Sequence, residues 1–213
     1  MIHHVIFDMD GTLSDTAAAT VPACAEIARR FRLPVPAPDA VAKAMGTASP
    51  EYWRLLWPGI GDDLLAELDP VAEAMESEFI RRQGVSILFP GIDAMLRELR
   101  AMGCTLYVAS TGSREHVTVT LSTAGIDGYF ARIECGEPGK VDMVSRILKD
   151  GGITPGNAVL VGDRIKDAEA ARGNRLLAIG AGFGYCGPEE WPLFDHVAHT
   201  TAALVEGIKH GFA

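Results

Sequence analysis

The chain has 213 residues, enough for one sizeable domain or for a core with a small insert. Its composition, 48% hydrophobic and 22% charged, fits a globular protein and excludes a disordered one. A formal net charge of −9 speaks against a nucleic-acid surface, and no run of about 18 apolar residues offers a transmembrane helix. The N-terminus lacks the basic flank and long apolar stretch of a signal peptide. Cys24, Cys104, Cys135 and Cys186 are scattered, with no C-x-x-C. Reduced thiols in a cytoplasmic protein are therefore expected, not a disulfide framework or a zinc site.

The first predicted element is a buried strand, Val5-Ile6-Phe7, that runs into Asp8-Met9-Asp10-Gly11-Thr12. In extended chain, side chains i and i+2 point the same way, so Asp8 and Asp10 share one face where strand gives way to loop. Their repulsion is costly unless a cation sits nearby or one of them holds a proton, and a hard ion such as Mg²⁺ would relieve it. On its own, Asp10-Gly11 reads as a turn.

Residues 16–85 read as wholly helical. An Ala-rich helix spans Ala17 to Arg32 and stops before Pro34, Pro36 and Pro38. A short helix over Asp39 to Met45 ends at Gly46, another covers Pro50 to Trp57, and a long one runs from Asp62 to Gln83 and closes at Gly84. Trp53 and Trp57, four apart, fit a packed helical face.

From residue 86 the pattern changes. Pro90-Gly91 opens a helix to Met102. Strands at 104–109, 130–134, 158–161 and 176–179 then alternate with helices at 114–124, 141–150 and 165–172. Such alternation predicts an α/β fold, a doubly wound and mainly parallel sheet covered on both faces, with a helical insert after the first strand. The expected organisation is a core of residues 1–15 and 86–213 with residues 16–85 inserted.

Ligands of such sheets bind at the carboxyl ends of the strands. Four suggestive groups fall there: Asp8 with Asp10; Ser110, followed by Thr111-Gly112-Ser113; Lys140, at the start of a helix; and Gly162-Asp163-Arg164-Ile165-Lys166-Asp167. Singly, each has an ordinary reading. Ser110 would cap a strand end, Lys140 would face solvent, and Asp163 would cap a helix. His3 and His4 read as structural, and His116 as a helix surface residue. Arg164 and Lys166 read as solvated loop charges, with Arg164 within reach of substrate.

Together and in this order, the four groups resemble the motifs of the haloacid dehalogenase-like hydrolase superfamily, over most of the core. The resemblance implies phosphoryl transfer. Asp8 would be the nucleophile, forming an aspartyl-phosphate, and Asp10 the general acid and base. Ser110 and the backbone N–H groups at Thr111 and Gly112 would hold phosphate oxygens, and Lys140 would supply positive charge. Mg²⁺ would sit on the Asp8 carboxylate, the Asp10 main-chain carbonyl and Asp163, with Asp167 close by. The insert resembles this superfamily's helical cap, with hinges near Leu13 to Thr16 and Gly84 to Pro90. Gly46-Thr47-Ala48-Ser49 resembles the cap loop that approaches substrate, which makes Thr47 a binding candidate.

Within the superfamily, Asp10 argues against a dehalogenase. A phosphonoacetaldehyde hydrolase would need a cap lysine, for which only Lys43 is present. A β-phosphoglucomutase would carry a basic residue near Thr47 to Ser49. Gly-Asp-Arg-x-x-Asp, followed by Ile179 to Tyr185, most resembles the phosphoglycolate phosphatase and nucleotidase-like branch, although Lys140 is not followed by proline and the stretch from Cys135 to Lys140 is short. The expectation is a Mg²⁺-dependent phosphatase for a small phosphorylated metabolite, monomeric or homodimeric, with no nucleic-acid or membrane partner. A mutase or a non-catalytic phosphate-binding scaffold is the rival, and intact motifs oppose the scaffold.

Overall fold

The computed structural model describes residues 2–212. Its strands are β1 (His4–Phe7), β2 (Thr105–Ser110), β3 (Phe130–Cys135), β4 (Ala158–Gly162), β5 (Leu177–Ala181) and β6 (His196–Ala198). They form one sheet in the order β3-β2-β1-β4-β5-β6, and every neighbouring pair is parallel. The helices are α1 (Ala17–Phe31), α2 (Pro38–Ala44), α3 (Glu51–Leu56), α4 (Asp62–Gln83), α5 (Ile92–Ala101), α6 (Arg114–Ala124), α7 (Val141–Asp150), α8 (Ile165–Gly173) and α9 (Thr201–His210). No helix among the described residues is long and apolar enough to cross a membrane.

β1 sits at the centre, and its alternation feeds two cores. Val5 and Phe7 pack with residues of α5, α6 and α9, including Leu96, Val117 and Leu204. Ile6 points the other way and packs with Met143 and Ile147 of α7 and Ala168 of α8. A strand covered on both faces must be apolar throughout, which explains its unbroken hydrophobic run. Each of these fully buried side chains contributes roughly 1.5–3 kcal/mol of transfer free energy.

The four helices between β1 and β2 that precede α5 have their own apolar cluster. It joins Cys24 and Ile27 of α1, Trp53 of α3, and Leu65 and Leu68 of α4. Trp53 stacks on Trp57 with ring centroids 5.9 Å apart, as the four-residue spacing predicts. The chain leaves and re-enters the sheet layer along adjacent paths, tied by Asp15 N–H to Ile87 O (2.7 Å) and Phe89 N–H to Leu13 O (3.2 Å).

β6 and α9 complete the fold beyond the strands and helices expected from sequence. β6 is a three-residue edge strand, too short to show a period. α9 is capped by Thr200, whose hydroxyl accepts from Ala203 N–H (3.0 Å).

Candidate active site

The carboxyl edge of the sheet gathers the charged residues of the four motifs. Asp8 follows β1, and its N–H extends the ladder to Val161 O (2.8 Å). One carboxylate oxygen, Oδ1, accepts from Met9 N–H at 2.7 Å and lies 2.6 Å from Lys140 Nζ. Lys140 precedes α7, and its ammonium also donates to Asp167 Oδ1 at 2.6 Å. Asp167 is fixed from its other side: in the first turn of α8, its Oδ2 accepts from Asp163 N–H (3.2 Å) and Arg164 N–H (3.0 Å). Asp8, Lys140, Asp163 and Asp167 are all buried.

Asp163 completes the cluster. Its Oδ1 accepts from Thr12 Oγ1 at 2.8 Å. Its Oδ2 is buried and accepts no hydrogen bond among the described residues, although Arg164 Nε lies 3.2 Å away. Asp8, Asp163 and Asp167 each offer an oxygen within 4.8 Å of the others. Three buried carboxylates thus crowd one site, where Lys140 touches two of them and Arg164 lies beside the third. Burial, reinforced by Asp167, pushes Asp8 up to about 7 against the pull of Lys140. Burial and Asp8 likewise hold Asp163 well above the ordinary carboxylate range. Hard oxygen donors, excess negative charge and an unpartnered buried oxygen fit a divalent cation.

Backbone shape makes room for this cluster. Gly11 has φ +83°, and a Cβ there would come within 2.5 Å of Asp163 Oδ2. At Gly162, a Cβ would stand 2.1 Å from Asp167 Cγ. Glycine is needed at both places for close approach, and at Gly11 also for its dihedral.

Ser110 ends β2, next to β1 in the sheet. The register pairs Phe7 with Val108, which puts Ser110 at the same edge as Asp8. Its Oγ accepts from Gly112 N–H at 3.1 Å. Thr111 reaches out of the core and donates to Gly46 O at 3.0 Å.

Asp10 is held from two sides. Its Oδ1 accepts from Thr16 Oγ1 at 2.5 Å and lies 2.8 Å from His116 Nε2. Burial alone would lower the imidazole, but Asp10 beside it, supported by Glu76, lifts His116 to about 9. Burial would raise Asp10, yet His116 and Thr16 hold its carboxyl below the usual range. His116 is therefore not the surface residue its helix suggested. Ser113 caps α6 by accepting from His116 N–H at 3.1 Å, so His116 sits in the first turn, directly after the second motif. That adjacency is the one signal by which sequence could have found it, since Asp10 lies 106 positions away.

A cavity of about 320 Å³ opens between the sheet edge and the helical layer. Thr47, Thr111, Gly112, Asp10 and His116 line it, which places the candidate cap loop over the second motif. Asp8 and Lys140 are buried and do not line it.

The family model for haloacid dehalogenase-like hydrolases matches residues 5–180. The chain belongs to that family. It is 30% identical over 186 residues to the tyrosine-protein kinase PtkA of Mycobacterium tuberculosis, covering 85% of this chain and 62% of PtkA. The chain thus spans less than two thirds of that relative's length. It is also 30% identical to the phosphoglycolate phosphatase of Agrobacterium fabrum, over 94% of this chain and 91% of that one. The crystal structure of a predicted phosphoglycolate phosphatase from Haemophilus somnus superposes with a TM-score of 0.86 at 20% identity, covering 96% and 97% of the two chains. That likeness speaks for the fold.

Within this family frame, two charges behave differently from their solvated reading. Arg164 Nη2 donates to Ala42 O at 3.2 Å, and Nη1 pairs with Glu190 at 3.1 Å. Lys166 Nζ donates to Gly46 O at 2.9 Å. Each side chain gives a donor to a carbonyl of the helical layer, which folds in over the loop after β4. Lys166 and Thr111 thus tie Gly46 to the core from two directions, and Arg164 holds Ala42. Tyr185 works at the other crossing: its hydroxyl donates to Asp15 Oδ1 (2.5 Å) and accepts from Ala17 N–H (2.9 Å).

Proposed function

We propose that the protein is a divalent-metal-dependent phosphatase of small phosphate monoesters that works through an aspartyl-phosphate on Asp8. The observation that carries this reading is the buried Asp8 carboxylate, 2.6 Å from Lys140 and grouped with Asp163 and Asp167. Residues 16–85 would act as the cap that supplies leaving-group contacts and excludes water from the acyl-phosphate.

A carboxylate oxygen of Asp8 attacks phosphorus and a new P–O bond forms, while the ester P–O bond breaks. The departing oxygen is protonated through Asp10, with the proton that His116 shares with Asp10 Oδ1 in the resting site. Asp10, left as a carboxylate, then takes a proton from water, whose oxygen attacks the same phosphorus, and the pair with His116 is restored. The bond to Asp8 breaks, phosphate is released and Asp8 is restored. Lys140, Ser110 and the N–H groups of Thr111 and Gly112 hold the phosphoryl oxygens as charge moves among them. Asp8, Asp163, Asp167 and the Asp10 carbonyl would hold Mg²⁺, which when bound neutralises negative charge on the phosphoryl group. The ties from Thr111, Lys166 and Arg164 close the helical layer on the core, so turnover requires their release and re-formation.

Metal binding should be visible without turnover. At about 100 times its Kd, Mg²⁺ should stabilise the fold by about 2.7 kcal/mol, or roughly 5–10 °C in Tm for a chain of this size. The sign with pH follows from Asp8. Its folded pKa, up to about 7, lies above the ordinary carboxylate value, so the folded metal-free protein keeps a proton that the unfolded chain has lost. Metal-free stability therefore falls as pH rises from about 4 to about 7, and the gain from Mg²⁺ grows over the same window. Thermal melts with EDTA and with Mg²⁺, at about pH 5.5 and pH 8, check this. Equal shifts at both values would contradict it.

His116 is expected to act by positioning Asp10 and sharing its proton with it. His116→Gln removes the charge-assisted bond and should lower kcat by roughly 10–100-fold, the kinetic equivalent of about 1.5–3 kcal/mol. KM should change little, and an unaltered kcat would remove His116 from the machinery.

Phosphate release from a panel of esters tests the reading as a whole, with Mg²⁺ and with EDTA. The panel holds phosphoglycolate, nucleoside monophosphates, sugar phosphates and p-nitrophenyl phosphate. Metal-dependent release from at least one is expected, and none from a well-folded protein would overturn it.

A further inference from the structure

The cavity beside Asp10 carries an unbalanced charge. Asp69, Glu73 and Glu76 of α4 all line it. Their spacing, i, i+4 and i+7, places them along one face of the helix. Like charges so arranged repel and weaken a helix, so the stripe has no merit as helix design. Among the described residues lining the cavity there is no lysine or arginine, and the one base, His116, is already bonded to Asp10.

Asp69 and Glu73 have polar company, but none of the three has an ion-pair partner among the described residues. Asp69 Oδ1 accepts from Trp53 Nε1 and Ser49 Oγ, both at 2.6 Å. Glu73 accepts from Ser113 Oγ. Glu76 Oε1 is buried and accepts nothing among the described residues. Trp53 borders the cavity as a buried residue, its ring stacked on Trp57 and its Nε1 fixing Asp69 in place. The group of described acidic residues close enough to share a single metal ion is instead Asp8, Asp163 and Asp167. Carboxylates spread along one wall of a cavity, one of them with a buried unpartnered oxygen, suit the ammonium of an organic ligand, which can donate to them while its carbon chain runs back toward Asp10.

We infer that the leaving-group pocket selects phosphate monoesters of amino alcohols, whose ammonium would lie among Asp69, Glu73 and Glu76, and disfavours esters with an anionic leaving group. This rests on the phosphatase reading above and names its substrate class. It also sets the chain apart from what its relatives' names suggest, because phosphoglycolate would bring a carboxylate toward three others.

Three esters of equal length separate charge from size: 2-aminoethyl phosphate, 2-hydroxyethyl phosphate and phosphoglycolate. Their leaving groups are cationic, neutral and anionic. With Mg²⁺, kcat/KM should fall in that order, the first exceeding the last by on the order of 100-fold. Glu73→Gln and Glu76→Gln should each shrink that ratio by roughly tenfold, mainly through KM for the amine ester. The neutral ester is the internal reference, so a general loss of activity leaves the ratio readable. Phosphoglycolate hydrolysed as fast as 2-aminoethyl phosphate would overturn the inference and leave the phosphatase reading standing. No release from these esters or from p-nitrophenyl phosphate would overturn both.

Discussion

Asp8→Asn should abolish phosphate release, by at least about 10⁴-fold in kcat, and leave the fold intact. The amide keeps the shape of the carboxylate but cannot attack phosphorus. The same change should also leave the metal-free protein as stable as before or more stable. Asp8 is pushed up to about 7 because it is buried beside Asp167, so its charge is a burden on the folded state above that pH. Lys140 would keep Asp167 as its partner at 2.6 Å. Lost turnover with an unchanged or raised Tm is therefore the expected pair of results. Turnover at the native level would remove Asp8 from the mechanism, and a collapsed fold would mean that its role is structural.

Asp10→Asn is expected to lower kcat by roughly 10²–10⁴-fold, the usual range for general acid–base catalysis. The loss should depend on the ester. An alkyl phosphate needs its departing oxygen protonated, whereas p-nitrophenyl phosphate leaves as a stable anion. The variant should thus lose more activity on the alkyl ester. Equal losses on both would point to Asp10 as a positioning group for Thr16 and His116, its two partners at 2.5 and 2.8 Å.

The core was legible because its signals are local. Apolar runs buried on both faces announce parallel strands, and the loops after β1 and β4 carry charges that have no place in a core. Gly11 and Gly162 sit where carboxylates crowd the backbone, so even the motif glycines have a steric reason. What stayed hidden is tertiary. His116 looked like a helix surface residue because its partner, Asp10, comes from the loop after the first strand. Arg164 and Lys166 looked solvated because the carbonyls they reach, Ala42 and Gly46, belong to a distant helical segment. Asp69, Glu73 and Glu76 went unremarked inside a long charged helix, because only folding shows that they face a cavity rather than water. β6 was missed because three residues at a sheet edge carry no period.

The central claim is that Asp8 becomes covalently phosphorylated. Its most direct test is to mix the Mg²⁺-loaded enzyme with its best ester, quench with acid within a single turnover, and map the phosphoryl group by mass spectrometry. A phosphoryl adduct on the peptide carrying Asp8, absent from Asp8→Asn, is the predicted result. Rapid hydrolysis with no adduct on any residue, or an adduct on a residue other than Asp8, would contradict the account.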